Sequence, residues 1–97
     1  MYARITSFHV YEAKLGDLEQ RLFDLCLQLR AIQGLVDAYS AWRDDGAGVS
    51  IAFYDCEESA DKAALDVQSL WASFDDLLSA PIQVTTYDRA MHLTFGT

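Results

Sequence analysis

Basic residues are scarce in this chain: seven Lys and Arg stand against fifteen Asp and Glu, for a net charge of −8. The bases are also scattered, at Arg4, Lys14, Arg21, Arg30, Arg43, Lys62 and Arg89. A phosphate-binding surface needs them clustered, so nucleic acid is excluded as a partner, and an anionic membrane surface is disfavoured. Cysteine is nearly absent. Cys26 and Cys56 have neither C-x-x-C spacing nor the density of a disulfide scaffold. Cys26 falls on an apolar helical stripe and is expected to be a buried thiol. Cys56 has no base near it in sequence and is not assigned as a nucleophile. With only His9 and His92 as imidazoles and no ligand cluster, no metal site is expected. No apolar run approaches membrane-spanning length, and no charged-then-apolar leader follows Met1, so the expectation is a cytoplasmic protein.

What the chain does have is apolar and aromatic side chains. Ninety-seven residues suit one domain, and 52% of them are hydrophobic, 12% aromatic. That composition argues against disorder. A domain this small buries a limited share of its surface and is often helped by association.

The segment 49–78 dominates the pattern. Val49–Tyr54 has the composition of a strand. After an acidic break at Asp55–Glu58, Ala63, Ala64, Val67, Leu70, Trp71, Phe74, Leu77 and Leu78 recur at helical spacing. The spacing predicts a helix ending near Ser79, with Pro81 at its exit and a cap from Asp55 with Glu58 or from Ser59. The preceding half repeats this order. Tyr2–Tyr11 suits a strand, with Tyr2, Arg4, Thr6, Phe8 and Val10 on one side and Ala3, Ile5, Ser7, His9 and Tyr11 on the other. Leu15, Leu18, Leu22, Leu25, Cys26, Leu29 and Ile32 then form one stripe, predicting a helix over 17–33. Its expected N-cap is Asp17 with Gln20, and its stop is Gly34. Leu35–Arg43 is a second strand, with Leu35 expected beside Asp37 and Tyr39 and opposite to Val36 and Ala38. The turn Asp44-Asp45-Gly46-Ala47-Gly48 predicts a hairpin to strand three. Ile82–Asp88 is a fourth strand, and the tail 89–97 alternates in a way that suits a fifth short strand at a dimer interface. Asp75 and Asp76 are expected at a solvated helix end.

The order β-α-β-β-α-β is that of an α+β, ferredoxin-like antiparallel sheet with both helices on one face, formed here by a single domain over 1–97. Neither face of the strands is consistently polar, so a bare apolar sheet face is expected. Packing of sheet on sheet with an identical chain would cover it, giving a homodimer.

The opening Ala-Arg-Ile-Thr-Ser-Phe-His-Val, the segment Val-Ser-Ile-Ala-Phe-Tyr-Asp-Cys-Glu-Glu-Ser-Ala, the helix 64–78 with Trp71 and Phe74, and the closing Ile-Gln-Val-Thr-Thr-Tyr-Asp together resemble the dimeric α/β-barrel superfamily. Within it they resemble the antibiotic biosynthesis monooxygenase (ABM) type of domain. The resemblance implies a dimer with pockets between sheet and helices, in some members oxidising aromatic polyketides without metal or flavin. Haem-degrading relatives use an Asn, a Trp and a His; this chain contains no Asn, so that arrangement does not carry over intact. Trp71 stands where a helix-two Trp is expected. The resulting expectation is a cofactor-independent monooxygenase or isomerase acting on a hydrophobic or aromatic small molecule. Trp42, Trp71 and Phe74 would be its pocket residues and His9 its general base. The alternative is a non-catalytic ligand-binding or interaction module. A cavity of a few hundred Å3 lined by Trp71 and a His favours the enzyme, and a filled core opposes it.

Overall fold

The computed structural model describes residues 1–93 and 95. Four strands, β1 (Tyr2–His9), β2 (Leu35–Trp42), β3 (Ala47–Tyr54) and β4 (Gln83–Tyr87), form one antiparallel sheet in the order β2-β3-β1-β4. Helices α1 (Leu15–Asp24), α2 (Cys26–Arg30) and α3 (Glu57–Ala72) complete the expected α+β ferredoxin-like arrangement.

Alternation decides which side chains meet the helices. Tyr2, Arg4, Thr6 and Phe8 project from β1 to the helical side, opposite Tyr54, Ala52, Ser50 and Gly48 of β3. Ala3, Ile5 and Ser7 face outward with Phe53, Ile51 and Val49. The register carries Trp42 to the helical side, opposite Gly48, and carries Tyr39 and Tyr87 to the outer face. A β-bulge between Leu35 and Asp37 corrects one expectation. The extra residue rephases the strand, so Leu35 sits opposite Tyr54 and packs inward, while Val36 is half exposed.

The hairpin turn holds as expected. Gly46, at φ 95°, donates to the Arg43 carbonyl and accepts from the Val10 amide at 2.9 Å each. A Cβ at Gly46 would run into the Val10 carbonyl, which is why glycine is required there.

The helices differ from expectation at their ends. A 3-10 turn at Glu12–Lys14 leads into α1, which therefore begins at Leu15, before Asp17, and has no side-chain cap. Gln20 bonds Asp24 one turn on rather than reaching back to Asp17. The helix is interrupted at Leu25, which divides the predicted single helix, and α2 stops at Arg30. Cys26 lies beyond that break and is exposed, not buried. At the start of α3 the N-cap position is Cys56, in extended conformation and without a side-chain cap. A hydrogen bond from Ser59 holds the Asp55 carboxyl below its ordinary value, with Cys56 adding to the effect. Downstream, α3 ends at Ala72 rather than Ser79. The chain continues through i→i+3 turns, Phe74 N to Trp71 O (3.0 Å) and Leu77 N to Phe74 O (2.8 Å). Asp76 is no idle helix-end charge: it forms an ion pair with Arg21.

The tail forms no fifth strand among the described residues; Thr94, Gly96 and Thr97 lie outside them. His92 instead rests on the outer face, stacked on Phe53 (6.3 Å between centroids) and 3.5 Å from the Asp37 carboxylate. No helix of the described residues is long and apolar enough to cross a membrane.

Candidate functional site: a cavity with a polar floor

Two apolar clusters form between sheet and helices. One gathers Phe8, Val10, Leu18, Phe74 and Leu77; the other gathers Tyr2, Tyr54, Ala60 and Ala63. Between them lies a cavity of about 90 Å3, room for several water molecules. Its lining draws on both clusters. It is smaller than the few hundred Å3 anticipated, and it is lined by Trp71 without a histidine.

The roof of this cavity is apolar. α1 and α2 supply Leu22, Leu25 (at their junction) and Leu29; α3 supplies Val67, Leu70 and Trp71. The stripe that makes these helices amphipathic is thus also the ceiling of the cavity. Trp71 is held between two rings, 5.6 Å from Phe8 and 5.8 Å from Phe74, both tilted. Such contacts fix the indole beyond what area burial alone would do.

The floor is polar. The inward-facing positions of β1 and β3 bring Arg4, Thr6, Ser50 and Tyr54 to the cavity, and β2 adds Ser40. Ser40 and Ser50 are cross-strand partners with their hydroxyls 2.6 Å apart. Thr6 is 3% exposed and Tyr54 fully buried. Both Arg4 Nε and Tyr54 Oη are buried without a hydrogen-bond partner. Leaving a buried polar atom unpaired costs roughly 1–3 kcal/mol, so these two atoms need an explanation. Burial pushes the Tyr54 phenol up, and the Arg4 charge offsets part of that rise.

The four residues expected at a site are only partly brought together. Trp71 and Phe74 line the cavity; Trp42 and His9 do not. Trp42 ends β2 and is 37% exposed. His9 ends β1, exposed, with Nδ1 2.7 Å from the Ser79 hydroxyl and its carbonyl accepting from the Ser79 amide at 2.8 Å. Its charge adds to the lowering of the Asp45 carboxyl, which comes first from the Ala47 amide. Sequence reasoning missed Arg4, Thr6, Ser40, Ser50 and Tyr54 as a group. The available signal was a lone cation on a strand face otherwise made of Tyr2, Thr6, Phe8 and Val10. A larger depression of about 620 Å3 runs along α2 and α3, lined by Gln28, Gln33, Lys62 and Asp66 among others. Its charged, solvated walls cannot exclude water, so the smaller and mainly apolar cavity between sheet and helices is the better candidate.

No protein-family model and no curated protein matches the chain. Solved structures do match it over nearly its whole length. Rv0793 of Mycobacterium tuberculosis is 20% identical, with 96% of this chain and 98% of that chain covered and a TM-score of 0.73. A Nitrosomonas europaea protein of unknown function, NE2512, is 22% identical over 98% of this chain and 95% of its own, at a TM-score of 0.74. A Deinococcus radiodurans protein named provisionally as an antibiotic biosynthesis monooxygenase is 14% identical, with both chains covered completely and a TM-score of 0.77. The chain therefore has the ferredoxin-like α+β fold of the ABM-like domains.

Proposed function

We propose that the protein takes up a small hydrophobic or aromatic molecule in the cavity beneath Trp71 and transforms it, without a cofactor, as a monooxygenase or isomerase. The observation that carries this is the cavity itself: an apolar roof over a polar floor, between two otherwise filled clusters. The provisional names of proteins with the same fold support the oxygenase chemistry. In that chemistry the roof excludes water and orients the substrate. A base removes an acidic proton, and the electron-rich anion reacts with oxygen. His9 is the base of this proposal; it ends β1 in phase with the outward-facing Ala3, Ile5 and Ser7, with its ring on Ser79 and outside the cavity lining.

The working unit is a homodimer, joined through the outer sheet face. Ile5, Val49, Ile51 and Phe53 are half-buried there, flanked by Tyr39 and Tyr87, each about half exposed. Two exposed free thiols, Cys26 and Cys56, fit a reducing cytoplasm.

A second reading, a non-catalytic ligand-binding module, is favoured by one observation: neither imidazole lines the cavity. Oxygen uptake and product analysis with a panel of hydroxylated aromatic compounds separate the two. Turnover without added metal or flavin, lost in Trp71→Ala and reduced at least about tenfold in His9→Ala, is the expected result. Binding with neither oxygen uptake nor isomerised product would establish the second reading instead.

A further inference from the structure

Arg4 is the one cation among the residues that line the cavity. Among the described residues no carboxylate lies within ion-pair distance of it, as is also true of Lys14, Arg30 and Arg89, but Arg4 alone of these four reaches into the cavity. Its place in the register explains where the charge goes. Arg4 lies opposite Ala52, and Tyr54 is two residues further along β3 on the same face. Diagonal neighbours of this kind are within reach of long and aromatic side chains. Both project into the cavity, and both keep a buried polar atom without a protein partner, Nε of Arg4 and Oη of Tyr54. Tyr54 is fully buried, so its hydroxyl faces no bulk water.

A guanidinium and a phenol offer donors that converge on an acceptor, and a guanidinium favours an acceptor that carries negative charge. We infer that Arg4 and Tyr54 form an anion subsite at the floor of the cavity, and that the ligand is an apolar or aromatic molecule bearing one anionic oxygen group, a carboxylate or an ionised enol or phenol. The inference rests on the proposed use of this cavity and adds the chemical class of what enters it. The roof of Leu22, Leu29, Leu70 and Trp71 takes the apolar body. The head meets Arg4 and the Tyr54 O–H. Because the chain carries a net charge of −8, general electrostatics repel an anion, so any preference for one has to come from this local pair.

Three probes of nearly equal shape test it: benzoate, benzamide and toluene, titrated at pH 7 while the indole N–H signals are followed by NMR. Benzoate is expected to bind at least about tenfold more tightly than benzamide. Arg4→Met should abolish that preference and leave toluene binding unchanged. Tyr54→Phe should reduce it several-fold with the same toluene control. Equal binding of benzoate and benzamide by the unmodified protein, or a preference that survives Arg4→Met, would overturn the anion subsite while leaving the cavity in use. If none of the three binds, the cavity reading itself fails and the subsite with it. Should Arg4→Met not fold, the comparison in the unmodified protein and in Tyr54→Phe still decides.

Discussion

Arg21 and Asp76 meet end to end: Nη1 lies 2.6 Å from Oδ1 and Nη2 lies 2.7 Å from Oδ2. The same Nη1 donates to the carbonyl of Ser73, the residue that closes α3. One side chain from α1 thus secures the turn that follows α3. Its hydrogen bonds hold the Asp76 carboxyl below the ordinary carboxylate range and raise Arg21 in turn. A carboxyl lowered in the folded state adds stability above its unfolded value of about 3.9 and loses it as the pH falls through the folded value. The melting-temperature difference between the protein and Asp76→Asn should therefore stay constant above about pH 5 and close below about pH 4. Both groups are exposed, so the difference should be small, a few degrees at most.

Gly46→Ala should be costly despite its place in a surface turn. The residue sits at φ 95°, and a methyl group would press on the Val10 carbonyl. A loss of about 1–3 kcal/mol in urea denaturation is expected from the backbone conformation alone. A smaller loss would mean that the turn relaxes into another form.

Leu18 joins α1 to the cluster of Phe8, Val10, Phe74 and Leu77, and it is 1% exposed. Leu18→Ala should cost about 2–5 kcal/mol, read as a fall in the urea midpoint at unchanged slope.

The two tryptophans give separate signals for ligand entry. In Trp42→Phe only Trp71 emits, and an aromatic ligand entering the cavity should quench or shift that emission. In Trp71→Phe the emission of Trp42, which does not line the cavity, should hardly change.

Dimerisation through the outer sheet face makes a further prediction. Tyr87 is 52% exposed in the single chain, so Tyr87→Lys should leave the fold intact. Sedimentation at micromolar concentration should nonetheless show a shift from dimer to monomer. A dimer that tolerates this substitution would be held by another surface.

Element order was legible in the residues because strand and helix periods differ, and the alternation in β1 correctly divided Tyr2, Arg4, Thr6 and Phe8 from Ala3, Ile5 and Ser7. The end of α3 was not legible. Trp71, Phe74 and Leu77 keep a spacing of three through the turns after Ala72, so the apolar pattern runs on after the helix has stopped. The start of α1 was hidden for a related reason, since a 3-10 turn at Glu12–Lys14 supplies the first coil without any capping residue. Cys26 shared the apolar stripe but falls just past the interruption at Leu25 and lies exposed.

Of the site, the roof could be read and the floor could not. Trp71 and Phe74 announce themselves as large rings on an apolar helix face. Arg4 and Tyr54 are fifty residues apart in sequence, roughly, and only strand pairing makes them neighbours. A cation on a strand also resembles an ordinary surface charge until its partners are seen to be missing.

The bulge at Leu35–Asp37 has a consequence for how the cavity could be reshaped. Leu35 and Tyr54 stand side by side at one end of it only because β2 carries one residue more than β3 at that point. The end wall is therefore set by strand phase and not by side-chain choice. Regular pairing of β2 through Val36 would leave the ladder from Asp37 to Trp42 in place, yet it would set Val36 opposite Tyr54 and swing Leu35 to the opposite side. A shift of phase by a single residue, at an exposed edge, would thus replace Leu35 by the smaller Val36 at that wall without touching any other group of the cavity.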